Sequence, residues 1–323
     1  MTASLVSSVL ALVIIAAQNV AWADSEARHW LERMSMASQS LNYSGIFVYQ
    51  REGNLEAMQI VHASDESGER ERLLSLTGPK REVLRDNQVV TCILGDRQAV
   101  VVNNSRPRTP FPVSFPTELM DLGRHYSFKV LNEDRVAGLT CRVVAVEPRD
   151  EYRYGRRFCV HDESHLLLRS ELTAAGGDAI EQIMFTAVEF PQEIADQKLL
   201  PDMDGADFTW HREPKEQPKT GESAADSLWK VTQVPDGFML TDHGWHQLSA
   251  GDAGVEHWVY SDGLASVSVY IEKSLKDSET YSGVSYRGAL NAYGTMVGGH
   301  YVTVVGEVPR QTVELIASSV RVK

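Results

Sequence analysis

The chain has 323 residues, more than one hydrophobic core usually serves, so two domains are expected. With 43% hydrophobic and 23% charged residues it has a globular composition. A formal net charge of −13 argues against a nucleic-acid partner and against broad attraction to an anionic membrane surface.

The first residues have the character of an export signal. Leu10 to Ala17 form an apolar core too short to span a bilayer, and Ala21-Trp22-Ala23 supplies an A-x-A cleavage site before Asp24. Met1 to Ser8 carry no Lys or Arg, where such signals are usually basic. Ala27, Trp30, Leu31, Met34, Ser38 and Leu41 then recur at helical spacing, which predicts an amphipathic helix ending near Asn42.

From Tyr43 the pattern changes to short alternating runs separated by turn residues. Tyr43–Arg51, Leu55–Ala63, Glu71–Leu76, Glu82–Arg85, Gln88–Leu94 and Arg97–Val102 follow at hairpin distance. Strands this close leave no room for crossover helices, so an antiparallel, strongly curved sheet is expected. Asn103–Pro116 interrupts it with four prolines among Phe111, Val113 and Phe115, the composition of a flap over the core. After a short helix at Thr117–Leu122, strands resume at Tyr126–Leu131, Leu139–Glu147, Arg156–His161, Leu166–Leu172 and Ile180–Phe190.

His211–Ser227 is almost devoid of apolar residues and reads as an interdomain linker. The domain division is therefore a signal at 1–23, a first domain at 24–210, a linker at 211–227 and a smaller α+β domain at 228–323. In that second domain Trp229–Val234, Phe238–Leu240, Glu256–Ser261, Leu264–Glu272 and His300–Val305 are expected strands, with a hairpin turn at Asp262-Gly263. Pro309–Ser318 is an expected helix with proline in its first turn.

Three cysteines leave at least one unpaired. Cys141 and Cys159 flank the turn at Pro148–Gly155 and either form a disulfide or stay as two buried thiols. Catalytic patterns are lacking: the sequence has no Gly-x-Ser-x-Gly elbow and no phosphate-cradling loop. His161 with His165, and His243 with His246, fall short of the three or four ligands a metal site needs, so no metal and no cofactor are expected. Arg70, Arg72, Lys80, Arg81 and Arg85 gather positive charge around one turn, opposed by Glu69, Glu71 and Glu82.

Several strings resemble one family. They include Gly45-Ile-Phe-Val-Tyr-Gln-Arg51, Arg70-Glu-Arg-Leu-Leu-Ser-Leu-Thr-Gly78, Arg81-Glu-Val-Leu-Arg85, Arg135-Val-Ala-Gly138 and Pro148-Arg-Asp-Glu-Tyr-Arg-Tyr-Gly155. The second domain adds Asp262-Gly-Leu-Ala265, Ser268-Val-Tyr-Ile-Glu272 and Val302-Thr-Val-Val-Gly-Glu-Val-Pro309. Over nearly the whole mature chain, the sequence resembles the MucB/RseB regulators of the envelope-stress sigma factor.

That resemblance implies a mainly β (α+β) protein of the periplasm. Its first domain would be a LolA/LolB-like unclosed antiparallel β-barrel with a helical lid, followed by a smaller C-terminal α+β domain. The implied partner is the periplasmic part of a membrane-spanning anti-sigma factor of the MucA/RseA type, shielded from the site-1 protease. Lipopolysaccharide or another acyl-chain ligand would release the complex.

On this reading Phe47, Tyr49, Phe128, Phe158 and Phe185 are candidates to line an acyl-accepting concavity or to fill a closed core. Arg72, Arg81 and Arg85 are candidates to meet lipid phosphates. Trp258, Tyr260 and Tyr270 are candidates to anchor the partner. The rivals are a lipid or lipoprotein carrier of the LolA type and a hydrolase of envelope components. Oligomeric state, a homo-oligomer included, is left open.

Overall fold

The computed structural model describes residues 24–103, 121–203, 205–212, 227–246, 254–273 and 282–323. The export signal, most of the proline-rich segment and most of the linker therefore lie outside the described residues.

The predicted amphipathic helix is α1, residues 24–40. Its Ala27, Leu31 and Met34 are buried against Phe128, Val144, Val146, Phe158, Val160 and Leu167, while Met36 on the other side is exposed. Each side chain sits where the three-four spacing places it. Arg28 closes the contact by laying its guanidinium over the Phe128 ring, 4.2 Å from the centroid.

Eleven strands form one antiparallel array: β1 (Tyr43–Arg51), β2 (Asn54–Asp65), β3 (Gly68–Ser75), β4 (Arg81–Asp86), β5 (Val89–Leu94), β6 (Ala99–Asn103), β7 (Tyr126–Val136), β8 (Leu139–Pro148), β9 (Gly155–His161), β10 (Leu167–Thr173) and β11 (Ala179–Glu189). Two meanders, β1 to β6 and β7 to β11, join where β11 pairs with β1. The sheet curls until β7 comes within 8 Å of β11 at the Cα level, but it does not close. Gly45 marks the tightest pairing: a Cβ there would lie 2.5 Å from the Ala187 carbonyl oxygen and 2.8 Å from the Phe185 ring.

A twelfth strand, β12 (Thr209–Arg212), pairs parallel with β6 at the free edge. The expected linker thus begins inside a strand, because backbone pairing at the sheet edge does not require the apolar side chains used to recognise strands.

Cys141 and Cys159 are bonded across β8 and β9, with Cα atoms 5.4 Å apart. Val143 is the direct neighbour of Cys159, so the bridge runs diagonally between the strands.

Among the described residues the second domain is a six-stranded antiparallel sheet with one helix. Its strands are β14 (Met239–His246), β15 (Val255–Ser261), β16 (Ser266–Lys273), β17 (Gly283–Arg287), β18 (Leu290–Val297) and β19 (His300–Gly306). Helix α2 (Arg310–Ser319) packs on one face, and β20 (Val320–Val322) pairs with β13 (Trp229–Val231). Strands β17 and β18 escaped the sequence reading because Gly283, Asn291 and Gly294 dilute their alternation. Asp262-Gly263 does turn the chain, but as part of a four-residue loop, since Ser261 pairs with Ser266.

Candidate functional site

The predicted acyl-lining residues are brought together as closed cores. Phe47 and Phe185 meet edge to face at 5.9 Å in a cluster with Tyr43, Ile60, Leu166 and Leu168. Phe128 and Phe158 belong to the cluster under α1. All four are at most 2% exposed, so they fill the interior rather than line an opening.

Of the predicted phosphate-binding arginines, Arg72 is committed elsewhere. Its Nε and Nη2 donate to Glu82 Oε1 at 2.8 and 2.6 Å, and Nη2 also reaches Asp202 Oδ2 at 2.5 Å. Glu82, wholly buried, additionally accepts the backbone N–H groups of Asp202 and Met203. The pair clamps the segment before β12 onto the sheet and is not a lipid rim. Arg85 is half-buried and opposes Glu71 in register. Burial pushes the Glu71 carboxyl above its usual range, with the charges of His62 and Arg85 opposing the shift. Arg81 remains half-exposed, and its acidic neighbour Glu56 stands 3.9 Å away.

Tyr49 has a role that its alternation did not announce. Its hydroxyl donates to Glu181 Oε2, and Glu181 Oε1 accepts the Ala289 N–H at 2.9 Å. Burial and this carboxylate push the Tyr49 phenol well above its usual range. Glu52 accepts the Gly288 N–H at 2.8 Å. The turn between β17 and β18 is thereby docked on the ends of β1 and β11. Gly288 (φ +59°) is required there, since a Cβ would lie 2.4 Å from Glu181 Oε1.

At the other side of this junction the residues between β8 and β9 are gripped by the second domain. Arg153, with a wholly buried side chain, donates through Nε to Asp262 Oδ2 at 2.5 Å, and through its remaining nitrogens to Asp150 and to the Asp236 carbonyl. Tyr126 donates its hydroxyl to the same Asp262 oxygen at 2.9 Å. Burial, followed by the Asp262 charge, pushes that phenol well above its usual range. The guanidinium also lies 5.0 Å from the Phe238 ring centroid. Thr312 donates to the Tyr152 carbonyl, Asn291 to the Tyr154 hydroxyl and Arg156 to Glu307. In the sequence, Arg153 is one charge in a polar turn and Asp262 a turn former; neither signals a buried ion pair.

Beside the docked β17–β18 turn lies a cleft of about 710 Å³. Its walls carry Tyr49, Leu55, Pro79 and Leu94, and the arginines Arg51, Arg81, Arg97 and Arg287. The first three arginines belong to the first domain and Arg287 to β17 of the second.

Of the predicted partner anchors, Trp258 and Tyr260 are buried beneath α2 in the second core. Tyr270 occupies the opposite face, half-exposed and stacked on His257 with ring centroids 4.3 Å apart. One histidine of each pair weighed as metal ligands is otherwise engaged: His161 Nδ1 contacts Ser164 Oγ at 2.8 Å, and His243 Nε2 contacts Glu256 Oε1 at 2.7 Å.

A family model described as the MucB/RseB N-terminal domain matches residues 26–203, and one described as the MucB/RseB C-terminal domain matches residues 223–321. The chain is 31% identical over 306 residues to the sigma factor AlgU regulatory protein MucB of Pseudomonas aeruginosa, covering 92% of this chain and 91% of that protein. Against the complex of Pseudomonas aeruginosa MucA and MucB, the TM-score is 0.72 at 29% identity, covering 92% of this chain and 99% of the other. Against MucB by itself it is 0.61 at 28% identity, covering 93% and 98%.

Proposed function

The chain belongs to the MucB/RseB family, and from that premise we propose that it binds the periplasmic region of a membrane-spanning anti-sigma factor, shields it from site-1 proteolysis and releases it to a lipid-type stress ligand. One observation carries the reading: both domains align, over 92% of the chain, with a relative solved in complex with MucA. A carrier of the LolA type would have no need of the second domain or of its clasp on the first. Among the described residues no helix is long and apolar enough to cross a membrane. That fits an exported protein acting on a membrane-anchored partner.

A regulator needs two states that its ligands bind unequally. The acyl chain of a lipid would reach Phe128 and Phe158 only where α1 lifts from them. Tyr270, accessible where Trp258 and Tyr260 are buried, offers an amphipathic contact to the partner.

The test is a pull-down of the chain from Asp24 with the periplasmic segment of the organism's own anti-sigma factor, with and without lipopolysaccharide. Binding that lipopolysaccharide reverses is the expected result. No binding overturns the regulator, and binding untouched by lipopolysaccharide overturns the release step alone. Tyr270→Ala should weaken capture without lowering the unfolding midpoint.

A further inference from the structure

His62 shares a face of β2 with the core residues Met58 and Ile60, and its side chain is wholly buried. Both of its ring nitrogens face acceptors. Nδ1 stands 2.7 Å from the carbonyl oxygen of Leu41, the residue directly after α1, and Nε2 stands 3.0 Å from Glu69 Oε1 on β3. A carbonyl cannot donate, so Nδ1 carries a proton. A neutral ring would then turn its Nε2 lone pair on a carboxylate, two acceptors facing each other away from water. The contact closes only with a further proton between them, on the ring or on the carboxyl.

We propose that His62 and Glu69 share this proton as a latch on the C-terminal end of α1, which holds the helix down while the proton is present and loosens its last turn when the proton leaves. The carbonyl end of a helix favours a cation, and the last turn, Ala37 to Ser40, has no charged side chain of its own. Glu69 is held in place by its backbone, which accepts the Asn87 N–H at 2.8 Å and donates to Asn87 Oδ1 at 3.3 Å. Tyr43 of β1 stacks on the imidazole, ring centroids 4.9 Å apart. Burial, followed by the Glu71 charge, pushes its phenol well above the ordinary range, so it stays neutral. Glu71 of β3 pairs with His62 in register, and Arg85 of β4 opposes Glu71. Arg70 of β3 is engaged by Asp65 and Asp196.

Asn42 ties the same junction without any such proton. Its Oδ1 accepts the Ser64 N–H at 2.9 Å, and its Nδ2 donates to the Gln192 carbonyl at 2.7 Å. Loss of the proton therefore frees the helix end while β1 stays paired, a local opening rather than unfolding. The closed latch binds one proton more than the open one, so its contribution is present at low pH and lost as pH rises. Because α1 covers Phe128 and Phe158, access to that interior should rise with pH. The latch stands whether or not the chain captures an anti-sigma factor.

The test is amide hydrogen exchange of the chain from Asp24 over about pH 6 to pH 9, corrected for intrinsic rates and read at residues 37–41. Protection there should fall about tenfold relative to the amides of β8, as expected for loss of one charged hydrogen bond. In Glu69→Gln the carboxamide donates to Nε2 at every pH, so protection should stay high and flat. Glu71→Gln, which removes the other buried carboxyl beside the ring, should keep the fall. Nitrogen NMR of the imidazoles in the unsubstituted chain, with His62 identified by its proximity to the Tyr43 ring, gives a reading that needs no variant to fold. Nδ1 should stay protonated throughout, and the Nε2 signal should move with the same midpoint as the loss of protection. Flat protection in the unsubstituted chain, a fall that Glu69→Gln keeps or Glu71→Gln abolishes, or a His62 ring that does not titrate together with the α1 amides overturns the proposal.

Discussion

Arg153→Met removes one charge from the junction and leaves the buried Asp262 carboxylate behind. Breaking a buried pair by deleting one partner typically costs about 3–5 kcal/mol, because the survivor cannot return to water. Asp262 keeps the Tyr126 hydroxyl and the N–H groups of Leu264 and Ala265, so the lower end, about 3 kcal/mol, applies. That is about a hundredfold in the equilibrium between docked and undocked domains. The Arg153 side chain belongs to neither hydrophobic cluster that holds each domain together, so both domains should still fold. Urea unfolding followed by tryptophan fluorescence should show an early transition displaced by about 1 M, and small-angle scattering should show a larger radius of gyration. Arg156→Met, breaking a bridge to the half-exposed Glu307, should cost less than about 1 kcal/mol. An Arg153→Met chain with unchanged midpoint and radius would refute the clasp.

Glu82→Gln should loosen the segment before β12, and faster hydrogen exchange at the Asp202 and Met203 amides, with the core amides of β1 unchanged, would report it. Replacing Cys141 and Cys159 by Ser opens a loop spanning 18 residues and should cost about 3 kcal/mol, read as an equal loss on adding reductant to the unsubstituted chain. Glu71 has a folded carboxyl raised above the ordinary 4.5, so protonation favours folding: its contribution is present at low pH and lost as pH rises through the folded value. Glu71→Gln, fixing the neutral form, should therefore raise the urea midpoint at neutral pH and flatten its decline above pH 4.5; a lower midpoint would mean that His62 and Arg85 outweigh burial.

What the sequence determined by itself is local. Period-two alternation and turn residues place β1 to β5 and β7 to β11 within a few residues, and three-four spacing places α1, because backbone preference and side-chain period act over a few neighbours. The run from His211 to Ser227, almost devoid of apolar residues, is read as a linker for the same reason. Alternation also says which residues share a face, but not what covers that face. Phe128 with Phe158, and Trp258 with Tyr260, became core only when α1 and α2 closed on them, and Phe47 with Phe185 when distant strands did, while Tyr270 stayed accessible on the far side.

Charge pairing is still less local. Arg72 meets Asp202 across 130 positions and Arg153 meets Asp262 across 109, whereas Arg97 and Arg287 meet no carboxylate among the described residues. An arginine looks the same in the sequence whether it is clamped, buried or free. Its partner is set by chain topology, and its strength by the water that the folded structure excludes.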